Sequence, residues 1–320
     1  MRRRRDRQAD ACHGILLVDK PAGMTSHDVV DRVRRAAGQR SVGHAGTLDP
    51  LATGLLVIAL GKATKIVRYL TDQSKVYEAE VTLGRTSSTY DAEGIDAQMP
   101  ALPVPRLSDE ALTDLLAAFI GNIRQQVPAH SAVHVQGRRL YERVRAGEDV
   151  TPPEREVVIH DIEVLAYDAD RLRLRVACGK GTYIRTLAHD IGQILGCGGY
   201  LSRLRRTASG RFSLEQALSL ETIEQSSGGG GLAEQLVGIN EALDFGSVHV
   251  DAECALGVRN GRVPYASEVK TVTGDFAEGD TVLVKNDSGQ VLALGIARMG
   301  SAAVSHGDPE PVLVFDRVLQ

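Results

Sequence analysis

Residues 41–54 read Ser-Val-Gly-His-Ala-Gly-Thr-Leu-Asp-Pro-Leu-Ala-Thr-Gly, and the apolar run Leu55-Leu-Val-Ile-Ala-Leu60 follows without a break. A run of that kind reads as a strand buried on both faces. It must therefore lie inside a sheet, and whatever precedes it must be a loop on the rim of that sheet. Three glycines in fourteen residues suit positive φ angles or close approach of another chain. The loop holds one histidine, His44, and one carboxylate, Asp49. Asp49 precedes Pro50, which biases it towards an extended conformation. Taken alone, such an aspartate reads as a turn residue bonded to its own backbone. A reactive carboxylate on a rigid mount is the rival reading.

The length of 320 residues leaves room for two domains. Hydrophobic content of 43% and charged content of 24% are those of an ordinary globular protein. No apolar run approaches the roughly 18 residues of a membrane span. Met1-Arg-Arg-Arg-Arg-Asp-Arg7 lacks the apolar stretch of a secretory signal. Cys12, Cys178, Cys197 and Cys254 form no C-x-x-C pair, which argues against a zinc site or a disulfide scaffold and fits the cytoplasm. Net charge is −4, but residues 1–211 carry 31 Lys and Arg against 25 Asp and Glu, and residues 212–320 carry 6 against 16. The positive charge lies with the loop described above. Residues 1–13 read as a disordered basic arm, either adding non-specific phosphate attraction or simply solvated.

Gly14–Val18 reads as a buried strand. Thr25-Ser-His-Asp28 has capping-box spacing, so a helix starts there and ends at Gly38. Ala63–Leu70 reads as a short helix, Val76–Leu83 as a half-buried strand and Arg85–Gly94 as a polar loop. Ser108 caps a helix over Asp109–Ile120, and Gln125–Arg145 reads as a basic loop containing Arg138, Arg139 and Tyr141. Strands follow at Val157–Leu165 and Leu172–Cys178, then a helix over Ile184–Leu195. The Gly/Ser-rich stretch 226–231 is a loop or linker, and Leu232–Leu243 reads as helical. From Val248 onward short strands alternate with Gly-containing turns, as in a small β-rich domain.

Gly43-His-Ala-Gly-Thr-Leu-Asp-Pro-Leu-Ala-Thr-Gly54 resembles the signature loop of the TruB-type pseudouridine synthases of tRNA. Asp19–Ser26, Lys75–Tyr77 with Thr89–Gly94, Gly179–Thr186 and Leu204–Arg206 match the same family in the same order. The resemblance implies an α+β fold: a catalytic domain with a mixed, largely antiparallel sheet over 14–245, then a PUA-like β domain over 246–320. It implies isomerisation of a uridine, at position 55 in the TΨC loop of tRNA, with no cofactor. Asp49 falls on the family's catalytic aspartate, and Tyr77 and Arg185 on its active-site tyrosine and arginine. His44, Lys20, Tyr183, Leu204, Gly43 and Thr47 fall on positions around the substrate. Two departures concern local RNA contacts: Pro128-Ala129 stands where the family has Pro-Pro, and His134 stands at a commonly basic position. The implied partner is the tRNA TΨC arm, with no membrane and no guide RNA, and the chain is expected to act as a monomer.

Each residue type suits that chemistry. A stacked uridine must be extruded, at a cost of a few kcal/mol. A Tyr77 ring stacked on the flipped base would recover about 1–3 kcal/mol, and His44 would fill the vacated space or bind phosphate. Asp49 would be the nucleophile, at C1′ or C6, or would assist proton loss at C2′. Tyr77 is also a candidate base for the final proton at C5. Lys20 would touch phosphate or support the pocket. Arg185 sits near a helix N-terminus, where a cation is disfavoured unless a carboxylate lies opposite; Asp49 is the carboxylate expected there. Three rivals stand beside this reading, and one is the same chemistry on ribosomal or guide-directed RNA, against which the lack of an evident long basic tail counts. A P-loop is excluded, since Gly61-Lys62 is followed by Ala63 and Leu56 stands where a loop glycine is required. An RNA-binding or folding module without catalysis has no need of the Asp49, Tyr77 and Arg185 set.

Overall fold

The computed structural model describes residues 12–96, 98–131, 133–135, 137–148, 150–226, 231–304 and 309–319. Most of the expected basic arm and residues 227–230 of the Gly-rich stretch lie outside them. The first sheet is built from β1 (Gly14–Lys20), β2 (Val42–Ala45), β3 (Thr53–Leu60), β4 (Lys75–Leu83) and β5 (Gly121–Gln126). A small separate hairpin, β6 (His134–Val135) with β7 (Arg138–Arg139), follows. The sheet continues with β8 (Glu154–Asp168), β9 (Arg171–Cys178), β10 (Gly199–Ser209), β11 (Phe212–Ser213) and β12 (Leu218–Ser219). Its order is β12-β1-β3-β10-β4-β9-β8-β5, with β2 beside β3 and β11 beside β10. Among the described strands of this sheet only the β1–β12 and β3–β10 pairs are parallel, so the sheet is mixed and largely antiparallel.

The apolar run after the signature loop is β3, whose residues Gly54–Leu60 are all buried. It is flanked by β1 in antiparallel register, Leu17 opposite Val57, and by β10 in parallel register, Arg206 opposite Gly54. At Gly54 φ is +96°, and a Cβ there would come within 2.3 Å of the Arg206 carbonyl oxygen. Gly54→Ala should therefore combine backbone strain with overpacking, destabilising the protein by about 3 kcal/mol. A urea-unfolding midpoint equal to that of the wild type would contradict this.

Helix α1 (Ser26–Ala37) carries the expected capping box between Thr25 and Asp28, and Gly38 closes it at φ 62°. Its buried residues Val29, Val30 and Val33 join one core with Leu56, Ile58, Ala79 and Val81. Helix α2 (Val67–Thr71) follows a 3-10 turn over Gly61–Ile66, so the expected helix at 63–70 is split. Helix α3 (Asp109–Ala117) has its Ser108 cap. The expected loop at 125–145 holds the end of β5, the small hairpin and α4 (Leu140–Arg145). Helix α5 (Ile184–Ile194) packs on β10 with a close backbone approach between Gly192 and Gly199. The helix expected over 232–243 is instead two short turns, Gly231–Glu234 and Ile239–Ala242, separated by an extended Gly238.

A second sheet, β14-β13-β15-β16-β17, is formed by β13 (Ser247–Val250), β14 (Val269–Thr273), β15 (Thr281–Asn286), β16 (Val291–Ala297) and β17 (Leu313–Val318). Its Leu283, Val291 and Leu294 share a core with Ile66, Tyr69 and Leu243, so the two sheets are joined by apolar packing. Arg68 and Tyr69 both bind Asp316 across that junction, and Lys65 Nζ donates to the Val318 carbonyl at 3.1 Å. Among the described residues no helix is long and apolar enough to cross a membrane.

Candidate active site

A cavity of about 320 Å³ opens where the loop between β2 and β3 faces the start of α5. Thr47, Asp49, Tyr77, Tyr183, Arg185 and Leu204 line it, so six of the nine residues expected from the sequence converge there. His44, Gly43 and Lys20 do not line it. Its size is within the range of about 300–1,000 Å³ usual for small-ligand clefts.

The loop that carries Asp49 is held on both sides of that residue. The Leu48 amide donates to Ser26 Oγ at 2.8 Å, and Ser26 Oγ donates to the Leu48 carbonyl at 3.0 Å, so the first residue of α1 pins the chain before Asp49. The Pro50 carbonyl accepts from the Gly23 amide at 2.9 Å and from Lys20 Nζ at 3.4 Å. Lys20 is fully buried and also donates to the Pro21 and Met24 carbonyls. Of its two expected placements, these bonds favour pocket support. Burial pulls the Lys20 ammonium down to about 8, with the Asp49 charge pulling the other way. Arg206 braces the loop from the sheet side: Nε donates to the Leu55 carbonyl at 2.7 Å and Nη2 to the Gly46 carbonyl at 3.1 Å.

Arg185 faces Asp49 from the first turn of α5, at 3.0 Å from Nε to Oδ2. That contact is off the line of the N–H, so it is charge pairing and not an aligned hydrogen bond. The Arg185 side chain is only 6% exposed and Asp49 is 39% exposed, which leaves the carboxylate reachable and its partner hidden. Behind them lies Asp91, whose Oδ2 accepts from Arg185 Nη1 at 3.3 Å. Thr89 and His130 carbonyls take further donors of the same guanidinium. One cation thus joins two carboxylates, one buried and one open to the cavity. Asp91 is fixed in turn by Thr89 Oγ1 at 2.5 Å and the Glu93 amide at 3.0 Å.

Tyr77 is buried in β4 beside Leu204 of β10. Burial pushes its phenol above the ordinary range while the nearby Arg206 charge opposes the shift. Tyr183 begins α5 without a side-chain cap; its amide and carbonyl are both held by the side chain of buried Gln125, at 2.9 and 3.2 Å. His44 pairs with Ile58 across β2 and β3, its Nδ1 buried without a partner and its pKa lowered by burial. Arg138 is ion-paired with Glu148 at 2.6 Å; the side chains of His134, Arg139 and Tyr141 lie outside the described residues. Among the described residues no group of three or more His, Cys, Asp and Glu side chains is arranged to hold a metal ion.

Ser26, Asp91, Gln125 and Arg206 carried no role in the sequence reading. Ser26, Asp91 and Arg206 lie inside stretches that match the family, but such a stretch names neighbours in sequence, and their partners are 22 to 160 residues away. Gln125 had no signal at all.

Comparison with known proteins places the chain in a family. The family model "TruB family pseudouridylate synthase (N terminal domain)" matches residues 34–184, "tRNA pseudouridylate synthase B C-terminal domain" matches 185–239, and "PUA domain" matches 246–309. A tRNA pseudouridine synthase B of Syntrophotalea carbinolica is 42% identical over 306 residues, covering 95% of this chain and 98% of that protein. One of Bacillus licheniformis is 46% identical over 238 residues, covering 72% of this chain and 76% of that protein. A chain in the crystal structure of a Cbf5-Nop10-Gar1 complex superposes with a TM-score of 0.76 at 26% identity, covering 96% of this chain and 85% of that one. On these matches, with the PUA domain after the catalytic one, the chain belongs to the TruB family and is a pseudouridine synthase.

Proposed function

We propose that this enzyme converts the uridine at position 55 in the TΨC loop of tRNA to pseudouridine, with Asp49 as the nucleophile and no cofactor. It acts as a monomer in the cytoplasm and needs no guide RNA; the catalytic unit spans 14–245 and the PUA-like unit 246–320. The observation that carries the reading is the open Asp49 carboxylate paired with the buried Arg185 in a cavity lined by Tyr77 and Leu204. The relatives' printed names supply tRNA as the substrate.

The target uridine leaves its stack and enters the cavity, at a cost of a few kcal/mol. Tyr77 stacks on the base and Leu204 borders it, returning about 1–3 kcal/mol. Asp49 then acts on the nucleoside: the N1–C1′ bond breaks, the uracil turns, C5 bonds to C1′, and the C5 proton leaves while N1 gains one. Attack at C1′, attack at C6 and assistance at C2′ all start from the same carboxylate. Arg185 sets a positive charge 3.0 Å from that carboxylate, in a site from which water is being excluded. Thr47, Gly43, His44 and Tyr183 shape the surface the RNA meets, and Lys20 keeps the loop in place from below.

The test is tritium release from a tRNA transcript made with 5-tritiated uridine. One equivalent per tRNA is expected, and none from a transcript with cytidine at position 55. Tight binding without release would mean a tRNA-binding module; release that survives the replacement would mean another target.

A further inference from the structure

Two non-glycine residues among those described have positive φ, Tyr90 at 65° and Ala169 at 48°. Ala169 lies in the turn between β8 and β9, where such a backbone is ordinary. Tyr90 also closes a turn, its amide donating to the Ser87 carbonyl, but it carries a bulky ring. The left-handed region is unfavourable for a bulky side chain and persists only where its surroundings impose it. It sits one residue before Asp91, the buried carboxylate that holds Arg185.

Its surroundings explain what imposes it. The Tyr90 ring is stacked on His189, with centroids 3.9 Å apart and planes 16° from parallel. His189 follows Arg185 by four residues on α5, so the two side chains lie on one face, a turn apart. Consecutive residues of the 87–94 loop therefore grip consecutive turns of one helix: Asp91 holds Arg185 and Tyr90 covers His189. The left-handed turn at Tyr90 is what sends these two neighbours to the same helix face. The loop backbone is fixed as well, the Tyr90 carbonyl accepting from the Leu201 amide at 3.0 Å and the Tyr90 amide donating to Ser87 at 3.2 Å. His189 Nδ1 is buried without a partner. Nothing else in the described structure gives that imidazole a polar task.

We infer that Tyr90 and His189 are positioning residues: their stack sets where the Thr89–Asp91 segment meets α5, and so the place of the Arg185 guanidinium against Asp49. The inference rests on the reading of Asp49 as the nucleophile. Neither ring lines the cavity, so the effect passes through Arg185 and belongs to the chemical step, not to RNA binding.

Single-turnover rate constants and tRNA dissociation constants, measured beside thermal unfolding, test it. His189→Ala should slow the chemical step about 10- to 100-fold, the scale expected when a reacting group is misplaced by about an ångström, with the dissociation constant nearly unchanged. His189→Phe keeps a flat ring for Tyr90 and should restore most of the rate. Tyr90→Gly removes the ring while relieving the backbone, so the two effects on stability oppose each other and it should be as slow as His189→Ala. It also serves if His189→Ala does not fold. A His189→Ala enzyme at the wild-type rate, a slow His189→Phe enzyme, or a loss confined to tRNA affinity overturns the inference. Asp49→Asn in the same assay separates the two readings. If it turns over, the nucleophile is wrong; if it is inert while His189→Ala is unimpaired, only the positioning role falls.

Discussion

Asp49→Asn should lose at least about 10⁴-fold in turnover, because without a carboxylate there is no nucleophile and no covalent route. The fold should barely respond. Asp49 is 39% exposed, and its replacement leaves Arg185 still paired with Asp91, bonded to the Thr89 and His130 carbonyls and buried as before. Asparagine is nearly the same size, and the loop is held by Ser26, Gly23, Lys20 and Arg206, none of which uses the Asp49 side chain. Stability should therefore change by no more than about 1 kcal/mol, and tRNA should bind with near wild-type affinity. Tritium release, a filter-binding titration and a urea melt on the same preparation measure all three. Turnover within a factor of ten of wild type would remove Asp49 from the role assigned to it.

Arg185→Leu should fail in both respects. The guanidinium is 6% exposed and neutralises Asp91, itself 5% exposed by side chain. Removing one partner of a buried pair leaves an uncompensated charge, and the cost is about 3–5 kcal/mol. Activity should drop by about a hundredfold or more, since the charge that steadies Asp49 in the closing site is lost as well. Arg185→Lys keeps the charge, but a compact ammonium cannot reach two carboxylates and two carbonyls as the planar fork does. It should recover more stability than activity. Pairing Arg185→Leu with Asp91→Asn offers a sharper check: the double variant should be more stable than Arg185→Leu alone, because the stranded charge is gone. If Arg185→Leu melts like wild type, the burial argument fails.

The reach of local pattern is visible element by element. Helix α1 was legible because every signal is short-range: a capping box between Thr25 and Asp28, apolar spacing at Val29, Val30 and Val33, and Gly38 at the end. Strand β3 was legible because burial on both faces needs an unbroken apolar run. Strand β5, Gly-Asn-Ile-Arg-Gln-Gln, was not: it is the edge of the sheet, mostly facing solvent, and its one fully buried polar residue, Gln125, is spent on Tyr183. Strand β10 also lacked a simple alternation, because irregularities at Leu201/Arg203 and Arg206/Ala208 shift its period and turn Arg206 inward. The 232–243 segment kept helical spacing, but Gly238 adopts an extended backbone and divides it.

By itself the sequence determined the elements with short-range signals, such as α1 and β3, the loop that presents Asp49 and, through motifs shared with a family, the residues to watch. These follow from contacts within a few residues or from matching strings. Tertiary structure alone decided that Lys20 points inward, that Arg206 supports the loop, that Asp91 shares the guanidinium of Arg185, and that a strained Tyr90 lies on His189. Each of those is a pairing across tens of residues or more, set by the parallel β3–β10 register and by where α5 crosses the sheet. Whether a charged side chain is exposed or spent on a carbonyl depends on what lies opposite, and the chain's own order does not say what that will be.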